Sequence, residues 1–159
     1  DLGQIEKELE ALESCLGIIQ GHVDEGPIAV VGHDFGAMHG ALLMQRHSVA
    51  CGVMIAATPR WGDWFLTFWP IEGDRHDYLR CLDPVDPITT IAEAGAPLLF
   101  QFAKHDFYIA PMTGMELARA AAEPKQLLSY ETDHSMDLEE ARLDRAAFLF
   151  EHLLGESAQ

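Results

Sequence analysis

Residues 27–36 read Pro27-Ile28-Ala29-Val30-Val31-Gly32-His33-Asp34-Phe35-Gly36, and this stretch decides the fold. Its first half is a short, apolar, β-branched run, the composition of a buried strand. Its second half sets Asp34 between two glycines, each two residues away, just before a segment of helical character at 36–46. A strand that turns at once into a helix crowds its own backbone, so small residues are needed on either side of the central one. The central side chain is then lifted above the sheet edge. The helix N-terminus beside it favours negative charge, which suits a carboxylate.

Working outward, the segment 5–19 carries apolar residues at Ile5, Leu9, Leu12, Leu16 and Ile19, an amphipathic helix with an acidic outer face that Gly21 ends. Further strands are expected at 50–56, 97–103 and 126–131, with helices at 87–94, 111–122 and 138–154. Between them, 60–77 places Trp61, Trp64, Phe65, Phe68 and Trp69 among Gly, Pro and Asp, which reads as an irregular excursion or a small lid; 78–82 reads as a helical turn. Alternating strands and helices argue for one three-layer α/β domain over 1–159, built on a small, mostly parallel sheet of about four strands, with 58–82 as its lid-like excursion. In such sheets chemistry gathers at the carboxyl ends of the strands.

Two further motifs stand at expected strand ends. Lys104-His105-Asp106-Phe107 follows the third strand, and Asp133-His134-Ser135 follows the fourth. The chain order is nucleophile, acid, base, and 28 residues separate Asp106 from His134, counted as 134 − 106. That separation leaves room for one helix and one strand.

These residues carry a resemblance. Gly32-His33-Asp34-Phe35-Gly36-Ala37 resembles the nucleophile elbow of epoxide hydrolases and dehalogenases within the α/β-hydrolase superfamily, where Asp is the nucleophile. The stretch from Ala96 to Asp106 and the compact middle region resemble the dienelactone-hydrolase branch. The resemblance implies a small-molecule hydrolase that cleaves an ester, epoxide or carbon–halogen bond through a covalent ester on Asp34. His134 is then the base, Asp106 its orienting acid, and the backbone N–H of Phe35 an oxyanion donor. His33, Trp61, Trp64, Phe65 and Phe107 are expected to contact a small apolar or ester-like substrate. No metal or organic cofactor is required by that chemistry.

The family's core normally has several strands before the elbow, and this chain has one helix there. The elbow strand is therefore expected to lie at an open sheet edge that pairs with another copy, as in a dimer. The alternative function is a non-catalytic or weakly active domain acting as an oligomeric or interaction module. The chain opens on Asp1 rather than Met, which fits a trimmed chain or a piece of a longer one.

Composition narrows the partners. Ten basic and 26 acidic residues give a net charge of −16, which repels nucleic acid and anionic membranes. Three cysteines, an odd number without C-x-x-C spacing, argue against a disulfide framework or zinc ribbon. A reducing, cytoplasmic setting is the expectation.

Overall fold

A computed structural model of the protein describes residues 1–23 and 26–155, without the side chain of Phe68. Four strands form one sheet in the order β1 (Ala29–His33), β2 (Cys51–Ile55), β3 (Leu98–Ala103), β4 (Lys125–Tyr130), and every neighbouring pair is parallel. The central strands β2 and β3 are buried throughout, as a parallel sheet covered on both faces requires. β1 stands at an edge, as expected from the single helix that precedes it.

Alternation along the central strands sorts the core into two faces. Val53, Ile55 and Leu99 share a cluster with Ala141 and Phe148 of α7 (Glu139–Leu154). Met54, Leu98, Phe100 and Phe102 face the other way, onto Ala37, Ala41 and Met44 of α2 (Phe35–Arg46) and Leu117 of α6 (Pro111–Ala120). Helix α1 (Leu2–Gln20) packs Ile5, Leu9 and Leu16 toward α2. A buried polar group spans the α7 face: Gln101 donates to the Tyr130 hydroxyl at 2.9 Å and to the Ala141 carbonyl at 2.8 Å, and accepts from Arg145 at 2.9 Å. Each polar atom of that interior glutamine is satisfied, so it costs little to bury.

The stretch 60–77, expected to be an irregular excursion or a small lid, is mostly helical, with α3 (Trp61–Phe68) and the start of α4 (Arg75–Leu82) inside it. The helical turn expected at 78–82 is the rest of α4; a 3₁₀ turn (Asp83–Val85) follows, and the helix expected at 87–94 is a short α5 (Pro87–Thr90) continued by a second 3₁₀ turn (Ile91–Glu93). Helices α3 and α4 are each capped by an aspartate, α3 by one distant in sequence and α4 by the residue just before the helix. Asp86 Oδ1 accepts the Trp61 N–H at 2.8 Å at the start of α3, and Asp74 accepts from His76 and Asp77 at the start of α4. Among the described residues no helix is long and apolar enough to cross a membrane, and all three cysteines are free thiols.

Candidate active site

The register aligns the carboxyl ends of the strands. His33 pairs with Ile55, Ile55 with Gln101, and Gln101 with Leu128, so the loops after β1, β3 and β4 leave from one end of the sheet. Asp34 is the first residue beyond β1. Its N–H donates to the Ile55 carbonyl at 2.9 Å, and its own carbonyl accepts from Ala37 and Met38 of α2. These bonds hold Asp34 at φ 54°, ψ −120°, a conformation that side chains avoid and that costs about 1–3 kcal/mol. Ala56 beyond β2 and Met136 in the loop after β4 also have positive φ. Among the described non-glycine residues, all such backbone strain lies on loops leaving the carboxyl ends of strands.

Of the two glycines flanking Asp34, Gly32 alone is forced by space. A Cβ there would lie 2.3 Å from the Gly36 carbonyl oxygen and 2.4 Å from the Ala37 nitrogen. A Cβ on Gly36 would meet nothing within 4 Å.

His134 sits between two carboxylates. Its Nδ1–H donates to Asp106 Oδ2 at 2.8 Å, and its Nε2 lies 3.6 Å from Asp34 Oδ2. The bond to Asp106 fixes the tautomer of the neutral ring, so the Nε2 lone pair faces Asp34. The Asp106 carboxyl is only 3% exposed, and its other oxygen accepts the N–H groups of Tyr108 and Ile109 at 2.8 and 2.9 Å. Both oxygens are thereby engaged and the side chain is immobilised. Burial raises the pKa of Asp34, and the charges of His134 and His33 and the Trp64 indole pull it back down.

The remaining expected site residues lie at different depths. Phe35 occupies the first position of α2, where its N–H has no acceptor within the helix. Its ring stacks on Trp61, Trp64 and Phe65 at centroid distances of 5.8, 5.3 and 6.2 Å. Trp64 reaches the Asp34 carboxylate, Phe65 packs on Phe35 and Trp61, and Phe107 is 89% exposed beside Tyr108. Trp61, expected on a pocket wall, is instead 1% exposed; its indole N–H donates to the Val85 carbonyl, and it anchors the base of α3. His33, expected to face substrate, donates from Nε2 to the His134 carbonyl at 2.8 Å, its ring 5.1 Å from that of His134. It ties the elbow to the histidine loop. Tyr108 was not singled out in the sequence: its ring meets His134 edge-on at 5.1 Å and stacks on Trp64 at 5.7 Å. Its place two residues after Asp106 was the available signal. Among the described residues no cluster of His, Cys, Asp and Glu is arranged to hold a metal.

No protein-family model matches the chain, and no curated protein sequence matches it. Solved structures do. The acetyl xylan esterase from Paenibacillus sp. R4 superposes with a TM-score of 0.73 at 18% identity, over 91% of this chain and 51% of its own. The esterase domain from a Rhodothermus marinus protein gives 0.69 at 18% identity, over 90% and 65%. The acylaminoacyl peptidase of Pyrococcus horikoshii gives 0.70 at 14% identity, over 98% and 28%. The chain spans less than two thirds of each of these proteins. At such identity the likeness establishes architecture: the fold is a four-stranded, shortened form of the α/β-hydrolase fold.

Proposed function

We propose that this protein is a small-molecule hydrolase in which Asp34 is the nucleophile, His134 the general base and Asp106 the residue that orients and charge-stabilises His134. The observation that carries the reading is the placement of His134 between the two carboxylates, at 2.8 and 3.6 Å, above a strained elbow. In the first step an Asp34 oxygen attacks an electrophilic carbon; the carbon–oxygen or carbon–halogen bond breaks, and its electron pair leaves with that atom. At a saturated carbon, as in an epoxide or halide, the product is an ester of Asp34. In the second step His134 Nε2 takes a proton from water, and the resulting hydroxide attacks the carbonyl carbon of that ester. His134 returns that proton to the departing alkoxide as the intermediate collapses, which releases the alcohol, and the Asp34 acid loses its proton to restore the carboxylate. The Phe35 N–H supplies one donor to the oxyanion. Esters, the class named for two of the structural neighbours, are the third candidate substrate.

The experiment is adduct trapping. Replacing His134 by Gln leaves the first step possible and removes the base for the second, so a peptide containing Asp34 is expected to gain the full mass of an epoxide, or the mass of a halide less hydrogen halide. Turnover that survives Asp34→Ala unchanged rules the assignment out.

A second reading, a module that assembles through the β1 edge, rests on one observation. Among the described residues β1 pairs on one side only, Val31 is 48% exposed, and an apolar groove bordered by Leu12, Val31, Phe35 and Leu43 runs beside it. An uncovered strand edge next to an apolar groove is a template for pairing with a second copy.

A further inference from the structure

Asp34 turns two unlike oxygens to its surroundings. Oδ2 lies 3.6 Å from His134 Nε2, whereas Oδ1 is out of contact with solvent and accepts no close hydrogen bond. The Asp34 side chain is 24% exposed, so the oxygen that can meet a substrate is Oδ2. Attack through Oδ2 makes Oδ1 the carbonyl oxygen of the Asp34 ester. When hydroxide then adds to the carbonyl carbon, an electron pair of the C=O bond moves onto Oδ1. Negative charge on a buried oxygen is costly unless donors meet it. The Phe35 N–H is one donor, and among the described residues no strand lies beyond β1 to bring a second from that side.

Other donors around the triad are engaged. The Asp34 N–H goes to the Ile55 carbonyl, the Tyr108 and Ile109 N–H groups to Asp106 Oδ1, and the His33 Nε2–H to the His134 carbonyl. Trp61 gives its indole N–H to the Val85 carbonyl. The other tryptophan within α3 is aimed differently: the Trp64 indole N–H is directed at the Asp34 carboxylate and favours its charged form. Trp64 is 8% exposed, and its ring stacks on Phe35 at 5.3 Å and on Tyr108 at 5.7 Å. The first contact ties it to the residue after the nucleophile, the second to the loop that carries Asp106. Its orientation is therefore set before any substrate arrives. An indole has a donor and no acceptor, so its polar edge suits an oxygen that gains negative charge.

We propose that the Trp64 indole N–H is the second oxyanion donor, serving Asp34 Oδ1 in the hydrolytic step. This assignment rests on the hydrolase reading and gives its second donor to a side chain of α3. In the resting protein Oδ1 has no close hydrogen bond, and the indole closes on it as charge develops, the behaviour of a donor aimed at a transition state. The indole keeps its proton throughout. When the C=O bond re-forms, the electron pair returns from Oδ1 and the alkoxide leaves, taking its proton from His134. In the first step the same N–H stabilises the attacking carboxylate, so it gives that step no help.

Two variants separate the donor from the ring: Trp64→Phe, and 3-benzothienylalanine at position 64, which keeps the indole shape with sulfur in place of the N–H. Without substrate, a carbon-13 NMR titration of the Asp34 carboxyl, assigned with Asp34→Asn, is expected to move to higher pH in both. With styrene oxide and with 1-bromobutane, rapid-quench mass spectrometry follows formation and loss of the Asp34 ester. Loss is expected to slow by about 10²-fold or more in both variants. Formation is expected not to slow, so the ester accumulates as in His134→Gln. An unmoved Asp34 titration, equal slowing of both steps, or slowing confined to formation, which puts the indole on the leaving group, overturns the proposal. Failure of the hydrolase reading looks different: neither the parent nor His134→Gln forms an Asp34 ester while the titration still moves, and the donor assignment falls with that reading.

Discussion

Asp34 is held in opposition by its surroundings. Burial favours its protonated form, whereas His134, His33 and the Trp64 indole favour the carboxylate that attack requires. The balance leaves its pKa above the ordinary carboxylate value, so the acid limb of kcat/KM is expected above the usual range of about 3.9. The sign follows directly: the active form is deprotonated, so activity falls as the pH drops through that pKa. His33→Asn removes one of the favouring charges and the donor to the His134 carbonyl. Its acid limb is expected to move to higher pH and its kcat to fall, measured as a full pH–rate profile on an epoxide or halide. A limb that stays in place means that His33 acts on the loop alone.

At the scale of the element, the elbow's two glycines predict opposite outcomes. A side chain at position 32 drives a carbon into the backbone of α2, so Gly32→Ala is expected to cost roughly 3 kcal/mol or to prevent folding. Gly36 lies in the first turn of α2 with open space around it, so Gly36→Ala is expected to stabilise by about 0.5–1 kcal/mol. Thermal unfolding of both variants checks the pair. The start of α3 makes a further prediction. Burial pushes the Asp86 carboxyl from 3.8 up to about 6, while the Trp61 N–H works against that rise. The folded protein therefore holds this proton more tightly than the unfolded chain. The resulting stability is fully present below about pH 4 and is lost as the pH rises through 6. A shift of that size corresponds to about 3 kcal/mol. Asp86→Asn keeps an acceptor for Trp61 without the titration, so it is expected to match the parent near pH 4 and exceed it in urea unfolding at pH 7.5. Equal stabilities at both pH values contradict the account.

For the whole molecule, the decisive feature is the edge. The sheet ends at β1, the strand that carries the elbow, so anything that pairs there also borders Phe35 and Gly36. If a second copy covers the edge, light scattering after size exclusion is expected to give a dimer mass, and Val31→Lys to return a monomer by placing a charge in the apolar groove. A parent chain that is monomeric at every concentration removes the oligomeric reading and leaves the catalytic one untouched. The net charge of −16 works against self-association, so the dimer fraction is expected to rise with added salt.

What the sequence by itself determined was everything that depends on neighbours along the chain. Strand and helix alternation, the elbow, and the order Asp34, Asp106, His134 were legible because periodicity and glycine placement act over a few residues. The boundaries shifted by one to three residues, with β1 running on through Gly32 and His33 because those residues pair with Met54 and Ile55. The edge position of the elbow strand was legible too, from the single helix and the absence of any strand pattern in residues 1–26. The tertiary structure alone decided the rest. Helix α3 is capped by Asp86, 25 residues from Trp61, and no local pattern reports so distant a cap. Aromatic residues look alike in a sequence; packing sent Trp61 into the core and set Tyr108 against His134. His33 turned to the His134 carbonyl, a partner 101 residues away. Parallel register then brought three loops to one end of the sheet, because hydrogen bonding between strands, rather than the residues in each loop, sets where a strand's end lies.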